Sequence, residues 1–429
     1  MITKLARIAE KAREDRKTRF TSLAHVLTPD FLRETWSGIN KRGASGVDGE
    51  TTKDFERELT ERVEDLHGRL KAGRYRAPPV RRVEIPKAGG KTRALGIPTV
   101  EDRLLQAAVA RILTAVFEPN FMDSSYGYRP RRSAHDAIRA LRSALMAGKA
   151  AHIYEADIRA YFDRINHEWL RKMLSQRIAD PVILRLIDKW LRAGVMACGV
   201  VVRNDDGVPQ GGPISPILAN IYLHYALDLW FEKRVRKNCH GTAYLFRFAD
   251  DFVAAFQFES DAKNFDCQTG VRMQEFGLEL APEKTRKLAF GRFARDKLRR
   301  TGQRPKTFDF LGFKHVCGID RNRKFAVVRI PSTKSLRKFR DSVRDWLKSH
   351  MHCKVRDQQS KLSRMLTGFY NYFALPHCRP KLYGLYMDVR RMWRRTLMMR
   401  SQRSKTHWSY LNKKDWFQLP APTTRHPTV

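Results

Sequence analysis

The chain has 429 residues, and its 83 Lys and Arg against 45 Asp and Glu give a formal net charge of +38. Hydrophobic residues make up 42% of the chain, which is enough for a sizeable core and excludes wholesale disorder. A folded chain of this charge repels itself unless a polyanion shares its field, so nucleic acid is the expected partner. We expect a cytoplasmic protein with no membrane segment and no secretory signal, whose six widely spaced cysteines stay reduced.

The first 65 or so residues have helical periodicity, broken by a glycine-rich stretch at 41–49. An extended segment follows the turn-rich residues 77–80 and ends at Pro86, after which helical spacing returns over 101–118. Together these patterns predict a helical N-terminal part followed by a mixed region.

The middle of the chain contains two predicted strand regions, 151–158 and 243–258, and between them one predicted helix from about His167 to Ala193. Further on, 332–350 and 381–400 are predicted to be amphipathic helices. Strands and helices that do not alternate regularly indicate an α+β fold with a helical C-terminal part.

The positive charge is concentrated near the C-terminus. From residue 321 onwards there are 26 Lys and Arg, 5 Asp and no Glu, a net charge of 26 − 5 = +21 in 109 residues. This step predicts a domain boundary near residues 315–330.

Carboxylates mark the two predicted strand regions. Glu155 and Asp157 fall on one strand face, and the adjacent Asp250 and Asp251 are flanked on both sides by strand-forming residues, as in a hairpin turn. Buried anions at a hairpin tip are costly unless a cation neutralises them, and hard carboxylate oxygens suit Mg²⁺. An ordinary polar turn is the alternative interpretation of the Asp pair taken alone.

Several blocks in family order resemble bacterial group II intron reverse transcriptases of the intron-encoded maturase type. The blocks are IPKAGGKTRALGIPTVEDR (85–103), SYGYRPRRSAH (125–135), DIRAYFDRINH (157–167), VPQGGPISPILANIYLH (208–224), FADD (248–251), PEKT (282–285) and FDFLGF (308–313). Phe248 stands where the family usually has Tyr, and no catalytic carboxylate of the pattern is missing. The resemblance implies a right-hand polymerase with fingers, palm and thumb.

The resemblance also implies a role for individual residues at the reacting centre. Asp157, Asp250 and Asp251 would be catalytic, and together with Ile158 they would bind metal. The implied cofactor is a pair of Mg²⁺ ions, for which Mn²⁺ can substitute. Such a pair activates a 3′-hydroxyl and stabilises the leaving pyrophosphate.

For the deoxynucleotide substrate (dNTP), the resemblance implies contacts by Lys87, Arg93, Phe162 and Gln210, with Phe162 excluding a ribose 2′-hydroxyl. Without the resemblance, Lys87 and Arg93 would be interpreted as a solvated basic turn and Phe162 as a core residue. Contacts to primer and template are implied for the remaining site residues, Gly211, Leu311 and Gly312.

The expected organisation is a helical N-terminal extension (1–75), fingers and palm (76–318), a basic helical thumb/maturase domain (319–398) and a basic tail (399–429). The tail carries no Cys/His cluster of the kind found in intron endonucleases, so we expect no DNA cleavage by this chain. The aromatic residues over 366–373, which lie within the basic helical region, could stack on bases or pack in a helical core.

The predicted activity is RNA-directed DNA synthesis. Its expected partners are dNTPs, an RNA template paired with a DNA primer, and a structured RNA, which the resemblance implies to be a group II intron whose splicing and mobility the protein assists. Two alternatives remain open from the sequence. One is an RNA-binding splicing factor with an idle polymerase site, and the other is a domesticated reverse transcriptase in DNA repair or phage defence.

Overall fold

The computed structural model describes residues 4–86, 92–147, 149–197, 200–202, 207–300, 302–303, 305–320, 322–400 and 406–429. The helices are α1 (Lys4–Glu14), α2 (Pro29–Trp36), α3 (Thr52–Arg57), α4 (Leu59–Lys71), α5 (Val100–Phe117), α6 (Ala134–Met146), α7 (His167–Leu174), α8 (Pro181–Arg192), α9 (Ser215–Leu223), α10 (Arg236–Asn238), α11 (Glu259–Glu275), α12 (Arg292–Arg300), α13 (Thr333–Ser349), α14 (Val355–Phe373), α15 (Arg379–Met398) and α16 (Trp408–Leu411). The strands are β1 (Val80–Pro86), β2 (Thr92–Ile97), β3 (His152–Asp157), β4 (Val195–Ala197), β5 (Val200–Val202), β6 (Ala243–Phe248), β7 (Asp251–Phe256), β8 (Arg286–Ala289), β9 (Phe308–Phe310), β10 (Phe313–Ile319) and β11 (Phe325–Pro331). The predicted α+β class is confirmed.

The central sheet has the strand order β6-β7-β3-β8 and is antiparallel throughout. The hairpin β6–β7 corresponds to the predicted strand region 243–258. Strand β7 lies against β3 over the full length of both strands. One face of the sheet packs on α11 and the other on α6, because the strands carry apolar side chains on both faces. Burial on both faces explains why β6 and β7 have almost continuous apolar sequences.

An N-terminal sheet of order β2-β1-β4-β5 is built on the hairpin β1–β2. It is joined to α5, whose apolar residues form the largest core together with α1, α2 and α4. Helix α3 begins with a capping box in which Thr51 and Asp54 satisfy each other's backbone N–H groups, and this arrangement ends the predicted glycine-rich break.

The single helix predicted from His167 to Ala193 is wrong, because two helices, α7 and α8, occupy this region. Pro181 is the first residue of α8 and cannot continue a helix that precedes it. Asp180 caps α8 by accepting from the backbone N of Val182 at 2.8 Å. Its other carboxylate oxygen accepts from the backbone N of Leu23 at 2.6 Å, so the break also binds the N-terminal segment.

The C-terminal part contains a three-stranded sheet of order β11-β10-β9 and the helices α13, α14 and α15. The two predicted amphipathic helices are confirmed as α13 and α15. The apolar stripe of α15 lies wholly in the core and comprises Leu382, Leu385, Val389, Trp393 and Leu397. None of the described helices is both long enough and apolar enough to cross a membrane.

Most of the aromatic cluster at the end of α14 serves packing. Phe369, Tyr370 and Phe373 are buried, and Tyr372 is half-buried, where its hydroxyl donates to the backbone O of Leu311 at 2.9 Å. Base stacking by the three buried rings would require opening this core, and the ring that contacts the turn at Leu311 is the half-buried Tyr372.

Candidate active site

The three predicted catalytic aspartates meet at one end of the central sheet. Asp157 is the last residue of β3 and lies directly opposite Asp251, the first residue of β7. Asp250 belongs to the two-residue turn that joins Phe248 to Asp251. Strand pairing therefore brings together carboxylates that are more than ninety residues apart in the sequence.

These carboxylates repel one another in a poorly solvated place. Burial, followed by the charges of Asp157, Asp250 and Glu155, raises the pKa of the Asp251 carboxyl to about 8. The backbone N–H of Leu311 donates to Asp251 and opposes this rise. Burial also raises the pKa of Glu155, whose partner across the sheet is Arg286 at 2.8 Å. Such a cluster attracts a cation, since a nearby positive charge stabilises the ionised forms.

Lys284 supplies one positive charge at this cluster. Its ammonium group forms an ion pair with Asp157, and this contact, more than any other, raises the pKa of Lys284. Lys284 follows Pro282 in the PEKT block, which the sequence analysis identified without assigning it a role. It is therefore a site residue that sequence reasoning missed, although its family block marked the position.

The three aspartates fit a divalent metal by their chemistry, since the hard oxygens of like-charged carboxylates come together at one end of the sheet. No group of three or more His, Cys, Asp or Glu side chains is already arranged as a metal site within the described ranges. Asp157 engages Lys284 in this arrangement, so metal binding would require that ion pair to open. Ile158 is buried and its backbone pairs with Leu280. Its role as a metal ligand remains a prediction.

On the nucleotide side, Phe162 lies on a short 3-10 helix, Tyr161–Arg164, directly after β3. Its side chain is only 8% exposed, and its carbonyl accepts from the backbone N of Val208 at 2.7 Å. The amide of Gln210 donates to the Asp163 carboxylate at 3.0 Å. Phe162 and Gln210 are thus held on adjacent segments by hydrogen bonds.

Gly211 joins this region to the N-terminal sheet. Its φ is +125°, and a Cβ placed on it would lie 2.5 Å from the carbonyl oxygen of Gly96. The backbone N of Gly96 in turn donates to the carbonyl of Gln210 at 2.7 Å. Only glycine permits this close approach, which fixes the Gln210 segment against strand β2.

The two predicted triphosphate contacts lie on the hairpin β1–β2. Arg93 belongs to β2, with its backbone opposite Ile85. Lys87 lies outside the residues that the structure describes. The hairpin is therefore attached to the Gln210 segment through Gly96, and the contacts of both cations remain predictions.

The predicted primer contacts, Leu311 and Gly312, form the turn between β9 and β10, where both have positive φ values of +49° and +78°. The carbonyl of Gly312 accepts from Ser332 N at 2.9 Å and from Ser335 Oγ at 3.1 Å. Because Leu311 also donates to Asp251, the structure brings this turn directly beside the carboxylate cluster.

Comparison with known proteins identifies a family for this region. Residues 85–315 match the model of the family described as "Reverse transcriptase (RNA-dependent DNA polymerase)". The chain is 34% identical over 280 residues to Protein YkfC of Escherichia coli, covering 58% of this chain and 73% of YkfC. It is 38% identical over 225 residues to the group II intron-encoded protein LtrA of Lactococcus lactis, covering 51% of this chain and 37% of LtrA.

A fungal protein matches part of the same region. An uncharacterised 91 kDa protein in the cob intron of Schizosaccharomyces pombe is 40% identical over 163 residues, which cover 38% of this chain and 20% of that protein. The chain therefore spans well under half the length of LtrA and of this fungal relative.

Proposed function

Because the chain belongs to the reverse transcriptase family, we propose that it extends a DNA primer on an RNA template by adding dNTPs. The pairing of Asp157 with Asp251 across the central sheet, with Asp250 beside them, is the observation that carries this proposal. Unused carboxylates held at this cost would be expected to be replaced by neutral residues.

The family generally uses divalent metal ions, and the proposed metal here is Mg²⁺, bound by the three aspartates with Ile158 as a further ligand. When bound, the metal supplies activation of the primer 3′-hydroxyl and neutralisation of charge on the phosphates. The protein's part is to hold Asp157 and Asp251 opposite each other on two rigid strands. Lys284, once released from Asp157, is a cation free to contact the triphosphate.

The remaining predicted residues have complementary tasks in this proposal. Arg93 and Lys87 bind the triphosphate from the fingers hairpin, Phe162 lies against the sugar, and Gln210 supports the nucleotide. Gly211 allows the template to approach the backbone, and the Leu311–Gly312 turn supports the primer end. The fingers and palm would then be residues 76–318, with the thumb following from residue 319.

Primer extension on an RNA template with dNTPs and Mg²⁺ tests the proposal. Wild type should give full-length cDNA, whereas Asp250→Asn/Asp251→Asn should lose on the order of 10³-fold or more in rate. Asp30→Asn is the control, since Asp30 is 94% exposed on α2 and remote from the carboxylate cluster in the sequence. A wild type that binds RNA tightly but makes no cDNA would favour the alternative of a splicing factor with an idle site.

A role in intron splicing and mobility is the second part of the proposal. It is supported by the relatives named for group II introns and by the basic C-terminal quarter. The RNA partner would then be the intron that encodes the protein. A splicing assay on such an RNA, with Asp250→Asn/Asp251→Asn alongside wild type, separates the two activities, because a folding aid needs no polymerase site. Synthesis without any stimulation of splicing would instead favour the domesticated enzyme.

A further inference from the structure

Arg247 is a buried cation that the reaction itself does not use. It lies on β6, two residues before the turn residue Ala249 and three before Asp250. Its side chain is fully buried, and a guanidinium group brings five N–H donors that all need acceptors there. The structure provides five hydrogen bonds for them.

Two of these bonds neutralise the charge. Nε and Nη2 donate to the two carboxylate oxygens of Asp228 at 2.7 and 2.6 Å, and neither side chain is exposed to solvent. Asp228 ends a π-helical segment, His224–Asp228, that continues from α9. Wide helical turns of this kind are frequent at functional sites. A buried ion pair is retained only with good geometry and additional hydrogen bonds, and the remaining three donors supply these.

Those three donors reach the catalytic turn and the segments around it. Nη1 donates to the carbonyl of Ala249 at 3.0 Å and to Oδ1 of Asn220 at 3.2 Å, while Nη2 donates to Ser125 Oγ at 2.7 Å. Asn220 donates in turn to the carbonyl of Gly127 at 2.7 Å. Gly127 lies so close to the turn that a Cβ on it would be 2.4 Å from the backbone N of Ala249.

The turn needs this support because of its backbone. Ala249 has a φ of +57°, a left-handed conformation that is unfavourable for a residue with a Cβ. The hydrogen bond to its carbonyl and the contact with Gly127 hold this conformation, which directs the next two residues, Asp250 and Asp251. Strain maintained beside a functional site usually serves that site.

We propose that Arg247 is a positioning residue. Through Asp228, Asn220 and the carbonyl of Ala249 it fixes the turn that carries Asp250 and leads into Asp251. It holds this turn relative to α9, the helix that follows the Gln210 segment. The inference rests on the proposed function. It makes the geometry of the metal-binding carboxylates depend on a residue that touches neither metal nor substrate.

Arg247→Lys tests the proposal, because lysine keeps the positive charge but cannot bind both oxygens of Asp228 and the Ala249 carbonyl together. Arg177→Lys is the matched control. Arg177 is also buried, and it donates to the backbone carbonyls of Thr18 and Arg16 at 2.9 and 2.8 Å, in the N-terminal segment. Both variants lose a buried guanidinium and should lower Tm. If the role of Arg247 were purely structural, the two substitutions would therefore have the same effects.

The decisive measurement is the affinity for Mn²⁺, which is determined by electron paramagnetic resonance at a temperature where all variants are folded. Arg247→Lys should bind Mn²⁺ about 10- to 100-fold more weakly than wild type, and Arg177→Lys should bind as wild type does. In primer extension, the Mg²⁺ concentration that gives half-maximal rate should rise by a similar factor for Arg247→Lys. The affinity of this variant for the duplex of RNA template and DNA primer should stay that of wild type.

If Arg247→Lys does not fold, Asn220→Ala takes its place, since it keeps the ion pair with Asp228 and removes the link to Gly127. It should weaken Mn²⁺ binding in the same direction by a smaller factor. Equal Mn²⁺ affinity for wild type and for the folded Arg247 or Asn220 variant would overturn the inference. A wild type without polymerase activity would count against the proposed function instead, because the Mn²⁺ titration requires no catalysis.

Discussion

The central sheet and helix α13 handle charge in opposite ways. Around Asp157 and Asp251 the protein brings like charges together where water is scarce, and it raises the pKa of Asp251 to about 8 in doing so. Helix α13 instead carries its cations in water, on an exposed face that comprises Lys334, Arg337, Lys338, Arg344 and Lys348.

The difference indicates two kinds of binding. A cluster of half-buried carboxylates gains most from a small, strongly charged ion at a fixed place, so its geometry matters. An exposed row of cations interacts with a polyanion through counterion release, which depends on charge and salt and little on geometry. Variants near the sheet should therefore change rate and selectivity, whereas variants on α13 should change affinity and its salt dependence.

Gly211→Ala should have the largest effect of the substitutions outside the aspartates. The new Cβ would meet the carbonyl oxygen of Gly96 at 2.5 Å at a φ of +125°, so the Gln210 segment must move away from β2. This displacement of the Gln210 segment should reduce the primer-extension rate on the order of 10²-fold. Gly270→Ala on α11, which meets no atom within 4 Å, is the control and should retain wild-type activity.

Phe162→Ala should relax the selection of the sugar. Removal of the ring opens the space that a ribose 2′-hydroxyl needs, so the preference for dNTPs over rNTPs should fall by about 10- to 100-fold. The ratio of kcat/KM for a matched dNTP and rNTP pair measures this on one enzyme. An unchanged ratio would assign Phe162, only 8% exposed, to the core alone.

Lys334→Gln/Arg337→Gln/Lys338→Gln should weaken RNA binding without slowing a bound complex. Each lost phosphate contact should reduce the slope of log affinity against log salt by about 0.7–0.9. Lys233→Gln/Arg234→Gln/Lys237→Gln removes the same charge from another exposed surface and serves as the control. Equal slopes for the two variants would show that total charge, and not the α13 face, determines binding.

Asp102→Asn should have the smallest effect, and it should depend on pH. Asp102 is buried beneath the hydroxyl of Tyr75, and burial raises its pKa from 3.8 to about 7. Between these values the folded protein holds a proton that the unfolded chain has lost, so wild-type stability falls as pH rises through this window. The variant has no such proton. Its Tm minus that of wild type should therefore increase by a few degrees between pH 4 and pH 8, at about 2–4 °C for each kcal/mol. A Tm difference that does not vary with pH would contradict this.

The elements of the fold were largely predictable because their signals are local. The hairpin around Asp250 appears in the sequence as two runs of strand-forming residues, and the helices α13 and α15 appear as amphipathic spacing. The interruption at Asp180 and Pro181 was missed, although its signal was present: an N-cap residue followed by proline is a helix start. The apolar spacing continues across that break and outweighed it.

The site was predictable only in part. Family blocks identified Asp157, Asp250 and Asp251, and Lys284 stood in a block without a role. Arg247 was missed altogether, because an arginine within an apolar strand has no local pattern that names its partner. Asp228, Asn220 and Ser125 come from three separate segments, and each looks unremarkable where it stands in the sequence.

By itself the sequence determined the α+β class, the basic C-terminal quarter and the family, and it predicted which carboxylates are catalytic, since periodicity, composition and short motifs are local properties. Only the tertiary structure decided that Asp157 lies opposite Asp251, that Leu311 donates to Asp251, that Lys284 pairs with Asp157 and that Arg247 donates to the carbonyl of Ala249. Strand register and buried hydrogen bonds join segments far apart in the sequence, 122 residues in the case of Arg247 and Ser125, and such pairings follow from the packing of the whole core.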